Sequence, residues 1–83
     1  MAARIGITPD METSKWELER GFKNTRNWKV TPPFASKKEA QEWEKKKAEE
    51  LRVKTVVATK SIDMKLIRAE WRGFFFEHDG PIK

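Results

Sequence analysis

Few residues in this sequence have the types and spacing that chemistry needs. The single histidine, His78, stands beside Asp79 in a His-Asp-Gly-Pro stretch. A His–Asp pair can orient a base, but such a base needs a nucleophile within reach. The serines do not supply one. Ser14 lies in the N-terminal stretch, Ser36 opens a helix and Ser61 falls in a loop, and none has the strand–turn–helix setting of a nucleophile elbow. The sequence has no cysteine, and with one histidine a structural zinc site has too few ligands. Gly6, Gly21, Gly73 and Gly80 are scattered, so no glycine-rich loop cradles a phosphate. The carboxylates are spread along the chain without metal-ligand spacing. These features point to a protein that is not an enzyme and holds no cofactor or metal, with His78 as a surface turn residue.

Charge and aromatic residues say more. Between Arg20 and Lys38 lie six basic residues, Arg20, Lys23, Arg26, Lys29, Lys37 and Lys38, and no acidic one. Phe22, Trp28 and Phe34 are interleaved with them. Basic side chains neutralise phosphates and release counterions, and aromatic faces stack on unpaired bases. A helix starting near Lys37 adds free amides and a positive dipole end. Trp16, Leu18, Trp28 and Val30 also fit an inward face packed on Trp43 and Leu51. On that reading only the cations remain for contact, as a ridge running from Arg20 into the helix. The candidate partner is nucleic acid or an acidic surface of a protein–nucleic acid complex.

A second candidate surface lies at Trp71-Arg72-Gly73-Phe74-Phe75-Phe76. Consecutive strand residues point to opposite faces, so Phe74 and Phe76 share a face with Arg68 and Arg72, while Phe75 goes with Trp71. One helix covers one face of a sheet, which leaves aromatics on the other. Arg68, Trp71, Arg72, Phe74 and Phe76 are then a protein-contact surface, or the seam of a homodimer.

The elements that must position these residues follow from periodicity and punctuation. Met1 to Ser14 reads as an arm, with Ile5 and Ile7 alternating as in a short edge strand. Residues 15–83 read as a single α+β domain. Trp16, Leu18 and Phe22 alternate, predicting a first strand over Lys15 to Phe22. Lys23 to Asn27 is turn-like, and Trp28 to Val30 restarts the alternation until Pro32 and Pro33 end it. Ser36-Lys37-Lys38-Glu39 is a capping box, predicting a helix from Lys37 to Leu51 with Ala40, Trp43, Lys47 and Leu51 as its apolar stripe. Val53 to Thr59 and Lys65 to Ala69 read as strands, and Gly73 as a bulge or a tight turn. The expected fold is an antiparallel sheet of four or five strands in the order ββαββ, with one helix on one face.

At 83 residues the chain has room for one domain. Four Trp and five Phe argue against a disordered chain, although charged residues make up 37% of it. The formal net charge of +5 favours an acidic partner. No apolar run is long enough for a membrane span, and the first residues lack the apolar stretch of a secretory signal. A cytoplasmic location is the expectation.

The stretch from Trp28 to Trp43, with Phe34-Ala35-Ser36-Lys37-Lys38-Glu39-Ala40-Gln41-Glu42-Trp43 at its centre, resembles the strand-to-helix entry of the arm-type DNA-binding domains of phage integrases. That resemblance implies a small sheet laid on DNA and backed by a helix. In size, charge and lack of cysteine the chain also resembles phage-encoded inhibitors, including anti-CRISPR proteins, which implies docking on a nucleic-acid-handling complex of the host. Two functional expectations result. One is a nucleic-acid-binding module working through the basic hairpin and helix N-terminus. The other is a protein inhibitor working through exposed aromatics and arginines.

Overall fold

The computed structural model of the chain describes residues 2–60, 62 and 70–82. In chain order the elements are β1 (Ala2–Thr8), α1 (Met11–Gly21), β2 (Arg26–Val30), α2 (Lys37–Leu51), β3 (Lys54–Thr55) and β4 (Arg72–His78). The four strands form one mixed sheet in the order β2-β4-β1-β3. β4 is antiparallel to both β1 and β2, and β3 runs parallel to β1.

This corrects the expected ββαββ antiparallel sheet with one helix. The described residues form two helices, the sheet is mixed, and its two centre strands are the first and last of those described. The segment read as a first strand is α1. Trp16, Leu18 and Phe22 do alternate, but Met11, Ser14 and Leu18 also lie at helical spacing, and local capping favours the helix. Asp10 has extended backbone and its Oδ1 accepts the Thr13 N–H at 3.3 Å, while its Oδ2 accepts the Thr13 hydroxyl at 2.8 Å. Glu12 in the first turn and Arg20 in the last complement the helix dipole. With no first strand there is no local hairpin, so β2 pairs instead with β4, more than forty residues away.

Ala2–Thr8, expected as an edge strand of an arm, is hydrogen-bonded on both sides. Its ladder with β4 runs unbroken from Ala2↔His78 to Thr8↔Arg72. The strand expected over Val53 to Thr59 shrinks to Lys54–Thr55, and the Val56 N–H still reaches the Ile5 carbonyl at 2.9 Å. The strand expected over Lys65 to Ala69 lies outside the described residues. α2 forms as expected, from Lys37 to Leu51, with Ser36 Oγ accepting the Glu39 N–H at 3.2 Å.

The helices lie on opposite faces of the sheet. On one face Leu18 and Met11 of α1 pack with Phe74, Phe76, Ala58, Phe22, Trp28 and Val56. On the other, Trp43 of α2 lies over Gly73, and Ile5 pairs beside Phe75. A buried polar tether fixes α1. The Ser14 hydroxyl lies 2.6 Å from the Ala58 carbonyl oxygen and 2.6 Å from Thr8 Oγ1, joining the helix to β1 and to the chain after β3.

Gly73 is neither a bulge nor a turn. It sits inside β4, opposite Ile7, in an unbroken register, and a Cβ there would overlap the six-membered ring of Trp43. The irregularity belongs to β2, between Arg26 and Lys29, where Asn27 adopts a left-handed φ of 52°.

Candidate binding surface

The basic residues from Lys23 to Lys38 are arranged in a line. The Lys23 N–H donates to the Gly80 carbonyl at 2.8 Å, the Thr31 N–H to Gly73 at 2.9 Å and the Phe34 N–H to Trp71 at 2.7 Å. The chain therefore follows the outer edge of β4 and its extensions from Gly80 to Trp71, a path of about 30 Å at ~3.3 Å per strand residue. Lys23 stands at one end, Lys29 in the middle, and Lys37 and Lys38 at the other, all exposed. Lys37 Nζ lies 5.0 Å from the centre of the Trp71 ring.

Two of the expected contact residues are placed differently. Arg26 is engaged within the protein: its Nη2 pairs with Asp79 Oδ1 at 2.9 Å and its Nη1 donates to the Asn24 carbonyl at 2.8 Å. The Asn24 side chain donates to Asp79 Oδ2 at 2.8 Å. That hydrogen bond first, and the Arg26 guanidinium second, hold the Asp79 carboxyl below its usual range. Nearby, Asn27 Nδ2 donates to Glu77 Oε1 at 2.6 Å. Arg20 belongs to α1, where its guanidinium lies 4.8 Å from the centre of the exposed Trp16 ring.

The start of α2 is less open to an anion than the capping box suggests. Ser36 Oγ takes one free amide, and Glu39 Oε2 accepts the Ala35 N–H at 3.0 Å, which places a carboxylate of the chain beside the positive helix end. Trp28 and Phe34 are packed, but the inward face expected from Trp16, Leu18, Trp28 and Val30 against Trp43 and Leu51 does not form. Trp16, Val30 and Leu51 are exposed, and Leu18 and Trp28 pack with Phe74 and Phe76 on the face away from Trp43. Trp28 stacks on Phe76 with ring centres 4.5 Å apart, and Phe34 packs on Trp43 at 5.7 Å.

The expected protein-contact surface needs a correction. Phe74 and Phe76 are fully buried and Trp71 nearly so. Phe74 and Phe76 are core because α1, read from the sequence as a strand, covers their face, whereas Trp71 lies on the other face, beside Lys37 of α2. Arg72 is half-buried, with Nη1 3.4 Å from the Thr31 carbonyl oxygen. Arg68 lies outside the described residues. Large exposed apolar side chains instead include Trp16, Val30 and Leu51.

His78 is also displaced from its expected place in a surface turn. It ends β4 on the Phe74/Phe76 side and is only 2% exposed. Nδ1 accepts the Gly80 N–H at 2.9 Å, which puts the ring proton on Nε2, and Nε2 is buried without a partner among the described residues. Phe22 and Phe76 lie 4.5 Å and 5.7 Å away, centre to centre. Burial first, and the Arg4 guanidinium second, push the imidazole below its ordinary range. Its parity with Phe74 and Phe76 was the signal that could have placed it inside.

One feature had no sequence signal. A cleft of about 410 Å³ opens between α2 and β2. Ile5 and Phe75 line it from the sheet, Trp43, Lys47 and Leu51 from α2, Lys29 and Val30 from β2, and Thr31 from just beyond it. It exists because α2 lies over the β1 side of its sheet face and leaves the β2 side uncovered by any described residue.

Among the described residues no cluster of three His, Cys, Asp or Glu side chains could hold a metal ion, and no helix is long and apolar enough to cross a membrane. Comparison of the chain with protein-family models, curated proteins and solved structures gives no match.

Proposed function

We propose that this protein is a non-catalytic binding module that engages nucleic acid, or a complex that handles it, along the β2 edge of its sheet. The reading rests on one observation: Lys23, Lys29, Lys37 and Lys38 are spaced along a single edge of about 30 Å, with all four exposed. A row of cations on that scale suits an extended phosphate backbone, to which each ammonium adds affinity by counterion release without reading sequence. Because Trp28 and Phe34 pack inward, the contact is to phosphates more than to bases. Arg26 shapes the edge by holding Asp79 and is not itself a contact. Arg20, stacked on Trp16, extends the basic surface past the Lys23 end. The working location on this reading is the cytoplasm.

A filter-binding titration with a single-stranded DNA and an RNA oligonucleotide tests it. Affinity should fall with salt at a log–log slope of about −3, as four phosphate contacts give. Absence of binding at low salt removes the proposal.

The cleft between α2 and β2 favours a second reading, a protein inhibitor that docks on a host complex. The surface first expected for that role is gone, since Phe74 and Phe76 lie in the core. The cleft offers an apolar surface in their place.

A further inference from the structure

The cleft between α2 and β2 joins three properties that seldom occur together by accident of packing. Its walls are apolar: Ile5 and Phe75 from the sheet, Trp43 and Leu51 from the helix. Leu51 is 48% exposed, so the apolar lining continues out to the surface. About 410 Å³ falls within the range of binding pockets.

Its rim is cationic. Lys29 rises from β2 and Lys47 from α2, on opposite sides of the opening. Lys47 Nζ is 3.5 Å from Glu50 Oε1, an exposed pair that contributes little and exchanges readily for another carboxylate. Among the described residues no acidic side chain lines the cleft.

It also adjoins a strand edge that no described residue pairs. β2 is an edge strand of the sheet. The Thr31 N–H turns inward to Gly73, so by alternation the N–H and C=O of Val30 point away from the sheet. An extended segment alongside could pair with them, the usual route of strand addition.

We propose that the cleft is the docking site for an extended acidic peptide segment of a partner protein. The segment seats a large apolar side chain between Trp43, Leu51 and Phe75, and its flanking carboxylates meet Lys29 and Lys47. Charge selects this occupant over a second copy of the chain. Self-pairing of β2 edges would bring Arg26 and Lys29 of two copies together, and like charges opposed across strands are unfavourable. A nucleic acid backbone has no apolar group to fill the cleft. This inference shares Lys29 with the lysine row but rests on Leu51, Trp43 and Lys47, which lie outside that row.

The test uses three labelled hexapeptides in fluorescence anisotropy with the whole chain. One alternates glutamate with leucine and phenylalanine, one replaces its glutamates with lysines, and one replaces its apolar residues with serines. The first should bind at least about tenfold more tightly than either control. Leu51→Ser, a change at a half-exposed position, and Lys47→Glu should each weaken the first peptide by about tenfold. Leu51→Ser should leave oligonucleotide affinity within about twofold, so failure here and failure of the nucleic-acid reading are separable. Equal binding of the serine peptide or indifference to Leu51→Ser would each overturn the proposal. So would a concentration-dependent dimer in light scattering that the peptide cannot dissociate.

Discussion

The ring of Trp43 occupies the space that a side chain at position 73 would need, so α2 is seated on the sheet through a missing Cβ. A Cβ at Gly73 would overlap three carbons of that ring. Gly73→Ala therefore forces Trp43 off the sheet and widens the cleft beside it. The expected loss is about 1–3 kcal/mol, typical of overpacking, measured by urea unfolding followed at tryptophan fluorescence. Gly21 provides the control, since nothing lies within 4 Å of a Cβ there. At the last turn of α1, Gly21→Ala should be neutral or stabilise by up to about 1 kcal/mol.

His78 makes stability depend on pH in a defined window. Its folded pKa is lowered by burial and by Arg4, with Arg26 adding to that and Asp79 opposing it. The fold therefore prefers the neutral ring. Its contribution is fully present above the ordinary imidazole value of 6.5 and is lost as pH falls from there toward the lower folded value. Urea midpoints should decline between about pH 7 and pH 5. In His78→Phe that slope should flatten, leaving acid loss at the lower pH where Asp79 titrates.

Ser14 should matter more than an alanine-sized residue suggests. Its hydroxyl is buried and meets Thr8 and the Ala58 carbonyl. Ser14→Ala leaves that carbonyl unsatisfied, with an expected cost of about 1–3 kcal/mol by chemical denaturation. Trp16→Ala, on the exposed side of the same helix, should change stability by less than about 1 kcal/mol.

Arg26 and Lys29 are close neighbours with opposite expected roles. Lys29→Ala should weaken oligonucleotide binding and reduce the salt slope by about 1. Arg26→Ala should leave the slope unchanged, because its guanidinium is already paired with Asp79. Equal effects of the two substitutions on the slope would place Arg26 in the contact row.

Some of this structure is written in local sequence and some is not. The capping box at Ser36 and Glu39 specified α2 from Lys37 to Leu51, because a cap and an apolar stripe are satisfied within one short segment. The basic, acid-free stretch from Arg20 to Lys38 followed from residue type alone, but its alignment came from pairing with β4 and not from the local hairpin expected. Which period governed Met11 to Phe22 was a local contest, and Asp10, read as part of a tail, decided it by capping a helix. The order of the sheet is different in kind. β1 and β4 come from the two ends of the chain, and β2 finds its partner across more than forty residues. No local propensity records such pairings; they are selected by what each face must bury. Once α1 took the face of Phe74 and Phe76, those rings became core and His78 was carried in with them. Once α2 settled over β1 through Gly73, the β2 side of the other face was left open. The basic segment was thus legible in the sequence, whereas its alignment along β4 was set by a long-range pairing, and the apolar cleft beside it was created only by where the second helix came to rest.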